Sequence, residues 1–258
     1  MISDEAYIRY QRQIQLVEIG LQGQQSLEQC SVLVVGCGGL GSAAIPLLAG
    51  AGVGKLVIVD HDTIDVSNLH RQTHYQQTQL GQSKVKLTRA YVEALNSQCQ
   101  VRVVEAKLSG EQLTLECMLA DIVLDCSDNM TTRHALNQAC YQSKTKLVSA
   151  AAIGWKGQLA VYDYGQSSPC YHCLFPFERL ATPTRCSEHG VMGPVVAMMG
   201  SVQALEALKH LTLEAKQTRA NQLHLFDGLI NQWQSLVITK DATCKVCQQA
   251  TTESEAIQ

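Results

Sequence analysis

The sequence predicts an α/β fold with a doubly wound sheet, parallel in its N-terminal half and continued by antiparallel strands. Three observations carry this. Short β-branched runs alternate with amphipathic stretches through residue 150, the grammar of parallel strands joined by helical crossovers. From Lys156 the pattern turns to every-second-residue alternation, the period of a half-buried antiparallel strand. A glycine-rich turn, residues 36–41, joins the first strand to the first crossover helix.

The chain opens with a polar helical pattern in which Tyr7, Tyr10, Ile14, Val17 and Ile19 are spaced among glutamines and arginines. Ser31–Val35 and Lys55–Asp60 are the first two strands, flanking a small-residue helix from Leu40 to about Ala51. Asp121–Cys126 and Lys146–Ala150 are two more. Helical patterns at Gln82–Asn96, Glu111–Ala120 and Asn129–Gln142 are long enough to cover the faces of the sheet. Residues 157–164, 222–228 and 235–240 alternate like antiparallel strands, and one long helix is expected from Gly193 to Leu211. Pro169, Pro176 and Pro183 fall in or beside the stretch from Cys170 to Cys186, which has no clear period. A long loop is expected there, and long loops in compact domains are usually functional.

The 258 residues are 46% hydrophobic and 17% charged, enough to bury a sizeable core and too apolar for a disordered chain. A formal charge of -3 leaves no general basic field for phosphate backbones, so nucleic acid is not an expected partner. The longest apolar stretches fall short of the ~20 residues that cross a bilayer, and no membrane association is expected. The N-terminus has no basic cluster leading into an apolar run, which predicts a cytoplasmic protein. Its eleven cysteines are then expected to be reduced, buried, metal-bound or catalytic.

Gly36-Cys37-Gly38-Gly39-Leu40-Gly41 follows a strand and opens a helix. In that context glycines let a phosphate-bearing ligand approach backbone N–H groups at a helix N-terminus. A turn that merely lets helix pack on strand is the plainer alternative. Asp60 ends the next strand 24 residues after Gly36, where a carboxylate accepts hydrogen bonds from ribose hydroxyls. The combination suits NAD as well as ATP. Because Gly41 is followed by Ser42, this is not a Walker loop, and positive charge for a triphosphate must come from elsewhere. Arg71 and Lys84 are the candidates, with Asn68 close by in sequence. Lys84 stands at a helix start, where a cation opposes the helix dipole unless something anionic is near. Asp128 and Asn129 follow a strand at the carboxyl edge of the sheet, the ligand side of an open α/β fold. An N-cap role for Asp128 is the alternative.

Cys170-x-x-Cys173 and Cys244-x-x-Cys247 can each set two thiolates on one side of a tetrahedral zinc ion. The 70 residues between the pairs exceed a compact zinc ribbon, so the fold must join them. A closed four-cysteine site leaves no position for catalysis and is read as a staple of the C-terminal tail onto the loop, a redox pair being the lesser alternative. Cys30, Cys37, Cys99, Cys117, Cys126 and Cys140 are expected to act as small buried apolar residues. Cys186 differs, lying beside Arg185 and His189, where positive neighbours favour a thiolate. An incidental loop cysteine is the alternative.

Read together and in order, RYQRQI (9–14), GCGGLGS (36–42), VDHDTIDVSNLHRQ (59–72), GQSK (81–84), LDCSDNMTTR (124–133), CYHC (170–173), GVMGPVV (190–196), SVQALEALK (201–209), LFDG (225–228) and CKVC (244–247) span nearly the whole chain. This string resembles the ThiF/MoeB/HesA family of E1-like adenylyltransferases, which activate ubiquitin-like sulfur-carrier proteins. The resemblance implies one Rossmann-like adenylation domain over residues 1–258, with a nucleotide-binding half at 1–150 and a carrier-binding, zinc and crossover-loop half at 151–258. It implies that ATP and Mg2+ are used to adenylate the C-terminal glycine of the carrier, releasing pyrophosphate and leaving an acyl-adenylate for sulfur to attack.

By position the resemblance implies that Gly36, Gly38, Gly39, Gly41, Asp60, Asp62, Ser67, Asn68, Arg71, Gln72, Lys84, Asp128 and Asn129 bind the nucleotide, with Asp128 near magnesium. Arg12 would reach the nucleotide of a partner subunit, which implies a homodimer with composite sites. Cys186 falls where ThiF-like members carry the cysteine that joins the carrier through sulfur. Arg12, Arg71, Lys84, Asp128 and Cys186 are thus the implied catalytic set. Gly154, GPVV at 193–196 and LFDGLINQWQSL with Trp233 are more similar to the ThiF branch of thiamine thiazole synthesis. AAI at 151–153 and GVM at 190–192 look as much like the MoeB branch of molybdopterin synthesis. A separate sulfur-donor protein is expected.

Adenylation needs positioning and neutralisation of charge on the leaving pyrophosphate more than covalent help. The carrier carboxylate is itself the nucleophile, so no general base is required. An NAD-dependent oxidoreductase would share the glycine turn and Asp60 but leave the cluster at 67–84 and both CxxC pairs unexplained. A non-catalytic scaffold would not need Arg71, Lys84 and Asp128.

Overall fold

A computed structural model of the chain describes residues 2–177, 190–213 and 217–248. Among them are the strands β1 (Ser31–Val35), β2 (Lys55–Val59), β3 (Gln100–Val104), β4 (Ile122–Asp125), β5 (Lys146–Ile153), β6 (Lys156–Tyr162), β7 (Gln222–Asp227) and β8 (Gln232–Val237). They form one sheet in the order β3-β2-β1-β4-β5-β6-β7-β8. The first five pair in parallel, and β5 through β8 pair antiparallel. This is the expected doubly wound half extended by antiparallel strands.

The helices are α1 (Asp4–Ile14), α2 (Gly20–Gln29), α3 (Gly39–Gly50), α4 (Lys84–Leu95), α5 (Gly110–Met118), α6 (Met130–Ser143), α7 (Tyr171–Leu174) and α8 (Gly193–Thr212). Strand side chains alternate between two cores, as the pleat requires. Val32 and Val34 of β1 pack with Leu40, Ile45 and Leu48 of α3 and Met199 and Ala204 of α8. Leu33 and Val35 pack on the opposite face with Leu113 of α5 and Leu136 and Ala139 of α6. Helices on both faces explain why β1 reads as a continuous apolar run. Gly200 lets α8 approach α3 closely, since a Cβ there would run into the Leu40 carbonyl.

Four elements differ from expectation, one being β8, which runs Gln232–Val237 where a strand over 235–240 was expected. The opening pattern is two helices, because α1 stops at Ile14 and the chain restarts at Gly20, whose φ of +57° costs glycine little. Val17 lies between them and is 96% exposed. The edge strand β3 was not expected. The stretch after Cys170 contains the short helix α7. Among the described residues no helix is long and apolar enough to cross a membrane. Cys37, Cys99, Cys117, Cys126 and Cys140 are buried as expected, while Cys30 is half-buried.

Candidate functional site

β1 lies between β2 and β4, so the strand order reverses beside it: β2 and β3 are added on one side, and the chain then crosses back to add β4 and β5 on the other. Ligands of open α/β folds bind at such a switch point, outside the carboxyl ends of the strands. A cavity of about 630 Å³ opens there, with the turn after β1 on one wall and the turn after β4 on another.

The turn after β1 depends on its glycines for different reasons. Gly36 has φ +106°, and a Cβ there would sit 2.5 Å from the Cys126 carbonyl oxygen. A Cβ on Gly41 would collide with the Gly36 carbonyl, so Gly41 folds the helix onto the turn and does not line the cavity. Around Gly38 there is space, its nearest neighbour being Gln72 Nε2 at 3.7 Å from an ideal Cβ. Gly38 and Gly39 line the cavity where α3 begins, and no side chain caps that end of the helix. First-turn N–H groups without a side-chain cap favour an anion.

Asp60 anchors this turn. Its Oδ2 accepts the Cys37 backbone N–H at 2.6 Å and its Oδ1 accepts that of Asp62 at 2.9 Å. Each carboxylate oxygen keeps a second lone pair for a hydroxyl. Lys84 begins α4 yet is buried, and its Nζ meets Asp62 Oδ2 at 3.1 Å. The expected conflict with the helix dipole is therefore met by Asp62. Arg71 Nη1 donates to the Ser67 carbonyl at 2.8 Å, and Asp65 holds the same short turn by accepting from Ser67 N. Asp65 is exposed, and the hydrogen bonds from Ser67 hold its carboxyl below the ordinary value. Gln72 is buried at the cavity wall, and its Oε1 has no partner among the described residues.

On the opposite wall, Asn129 and not Asp128 is the N-cap of α6, accepting the Thr132 N–H at 2.9 Å. Asp128 is left exposed at the cavity, with Asn129 Nδ2 3.4 Å away. Beneath this turn lies a network that sequence reasoning missed. Arg133, buried in the first turns of α6, donates to Asp125 Oδ2 and Ser149 Oγ, each at 3.1 Å, and to the Ser127 and Ala150 carbonyls at 2.5 and 2.8 Å. Gln203 of α8 donates to the Asp125 and Val148 carbonyls at 2.8 and 2.9 Å. The only sign in the sequence was an arginine inside LDCSDNMTTR. Lys107 and the Ala151–Ala152 and Gly190–Val191 segments also line the cavity without having been singled out as nucleotide-site residues.

The cavity thus gathers Gly36, Gly38, Gly39, Asp60, Asp62, Ser67, Asn68, Arg71, Gln72, Lys84, Asp128 and Asn129. Arg12 is exposed in the last turn of α1 and does not line it. Cys186 lies outside the described residues.

The fold also joins the two CxxC pairs. Sγ–Sγ separations are 3.9 Å for Cys170 and Cys173, 3.6 Å for Cys170 and Cys244, and 3.4 Å for Cys173 and Cys247. A tetrahedron with Zn–S bonds of about 2.3 Å has edges of about 3.8 Å, so the four sulfurs fit one zinc ion. The thiols titrate unevenly. A hydrogen bond from Cys170 holds Cys173 down to about 4, while burial pushes Cys247 up to about 12. A divalent cation at their centre would favour all four thiolates.

The chain matches the ThiF family over residues 10–246. It is 42% identical over 246 residues to the sulfur carrier protein ThiS adenylyltransferase of Escherichia coli (strain K12), covering 95% of this chain and 97% of that protein. It is 40% identical over 250 residues to the molybdopterin-synthase adenylyltransferase of Salmonella typhimurium, covering 96% and 99%. The crystal structure of E. coli MccB with ATP superposes with a TM-score of 0.76 at 20% identity, covering 93% of this chain and 73% of that one. That likeness establishes the fold.

Proposed function

The chain belongs to the ThiF family, and from that premise we propose that it is an E1-like adenylyltransferase using ATP to adenylate the C-terminal glycine of a ubiquitin-like sulfur-carrier protein. The observation that carries this reading is the single cavity at the switch point, which holds the glycine turn, Asp60, Arg71, Lys84 and Asp128 together.

In this reading the triphosphate lies against the glycine turn and α3, and Asp60 accepts from the ribose. A carboxylate oxygen of the carrier attacks the α-phosphorus and forms the acyl-phosphate bond. The bond from that phosphorus to the bridging oxygen breaks, and its electron pair leaves with pyrophosphate. Lys84 and Arg71 stabilise the charge that accumulates on the leaving group. The exposed carboxylate of Asp128 suits a hard divalent cation, and Mg2+ held there would neutralise phosphate charge. Arg12, outside its own cavity, is assigned to the nucleotide of a second subunit in a homodimer. Asn68, Ser67, Asp62, Gln72 and Asn129 complete the nucleotide site, and Gly41 shapes it from behind.

A ThiS-like carrier is assigned over a MoaD-like one on the strings around Gly154, 193–196 and Trp233, because identities of 42% and 40% weigh the two branches alike. The four-cysteine cluster is assigned to a structural zinc. Cys186 serves the later sulfur step, with sulfur from a separate donor protein in the cytoplasm. Thermal unfolding with ATP–magnesium and with NAD tests the nucleotide class. ATP–magnesium raises the unfolding temperature by mass action. A rise with NAD alone would overturn the adenylation reading.

A further inference from the structure

Tyr75 does not line the cavity, yet its hydroxyl joins two of the cavity's phosphate-binding elements. The ring is buried, with its oxygen 3.1 Å from the Cys37 carbonyl, 3.5 Å from the Lys84 carbonyl and 2.9 Å from Thr88 Oγ1. Thr88 Oγ1 in turn lies 3.2 Å from His74 Nε2.

Proton accounting fixes the direction of this chain. A carbonyl only accepts, so Tyr75 donates to Cys37 and must accept from Thr88. Thr88, having given its one proton to Tyr75, accepts from His74 Nε2–H and also meets the Cys37 thiol, which must then donate to it. Burial pushes His74 down to about 4, which leaves it neutral near pH 7. With the proton on Nε2, Nδ1 is an acceptor, and it has no partner among the described residues.

The consequence falls on Cys37. Asp60 takes its N–H and Tyr75 takes its C=O, so the peptides on both sides of Cys37 are held. The second of those peptides ends in the N–H of Gly38, at the cavity wall. The same hydroxyl lies beside the first carbonyl of α4, the helix that carries Lys84. We propose that Tyr75 is a positioning residue, fixing the glycine turn relative to Lys84 through the His74–Thr88–Tyr75 relay. The inference rests on the nucleotide site of the adenylation reading.

The test compares Tyr75→Phe, Thr88→Val and Thr88→Ser. Calorimetry gives Kd for a non-hydrolysable ATP analogue with magnesium, and pyrophosphate exchange gives kcat with separate KM values for ATP and carrier. Losing one hydrogen bond predicts about fivefold weaker analogue binding in Tyr75→Phe and Thr88→Val. Thr88→Ser keeps the hydroxyl and binds as the parent does, and the carrier KM stays within about twofold throughout. Parental analogue binding by both Tyr75→Phe and Thr88→Val, or equal rises in both KM values, overturns the proposal. If Tyr75→Phe does not fold, the Val/Ser pair at Thr88 decides. A parent protein that binds the analogue but exchanges with no carrier refutes adenylation, while the Kd comparison still judges Tyr75. A parent that binds no analogue refutes both.

Discussion

Lys84 Nζ lies 3.1 Å from Asp62 Oδ2, pairing a side chain that is 5% exposed with one that is 55% exposed. A buried ammonium at a helix N-terminus loses hydration and opposes the dipole, so it needs an anion. Asp62 supplies one from the solvent side of the cavity. Lys84→Ala is therefore expected to lower pyrophosphate exchange by about 100-fold or more. Exchange within about threefold of the parent would remove Lys84 from the catalytic set.

Arg133 and Asp125 form a pair that is 3% and 0% exposed. Removing one partner leaves an unpaired buried charge, so Arg133→Met is expected to cost about 3–5 kcal/mol in urea unfolding. The exposed pair Arg89–Glu93 is the control, at well under about 1 kcal/mol for Arg89→Ala. Equal costs for the two would show that the Arg133 network does not hold the turn after β4.

Much of the sheet was legible because parallel strands buried on both faces leave dense β-branched runs. VLVV, LVIV and IVLD gave β1, β2 and β4 almost to the residue. β3 was missed because it is an edge strand, QVRVV, with two residues exposed and none buried. Gly36, Asp60, Lys84 and Asp128 could be placed at the site because each lies at the end of a recognisable element. Arg133, Gln203 and Tyr75 could not. Each is defined by carbonyls from distant segments, and in sequence they read as an ordinary helix arginine, helix glutamine and core tyrosine.

One zinc ion per chain, about one equivalent by metal analysis, is expected from the four sulfurs. Cys244→Ser should lose the metal and lower the unfolding temperature. A parent protein that is metal-free with an unchanged unfolding temperature would refute the staple.

Stability should fall on acidification through His74. Unfolded, a histidine titrates near 6.5, whereas burial holds His74 to about 4. Between those values the unfolded chain binds more protons, so this group costs nothing above pH 6.5 and progressively more as pH falls toward 4. The full cost is about 3–4 kcal/mol, from about 2.5 pH units at about 1.36 kcal/mol each. His210, also lowered by burial, acts in the same direction. His74→Gln should flatten that part of the pH profile while keeping an N–H for Thr88. An unchanged acid slope would show that His74 titrates alike in the folded and unfolded chain.

Cys186→Ala is expected to keep pyrophosphate exchange, because the thiol is assigned to the sulfur step. Exchange abolished by that substitution alone would overturn the division of labour.

Adenylation itself is tested most directly by carrier-dependent exchange of labelled pyrophosphate into ATP, run in parallel with ThiS-like and MoaD-like carriers from the same cell. Exchange with the ThiS-like carrier, and little with the other, is the expected result. Exchange with neither carrier, in a protein that is folded and zinc-loaded, would contradict it.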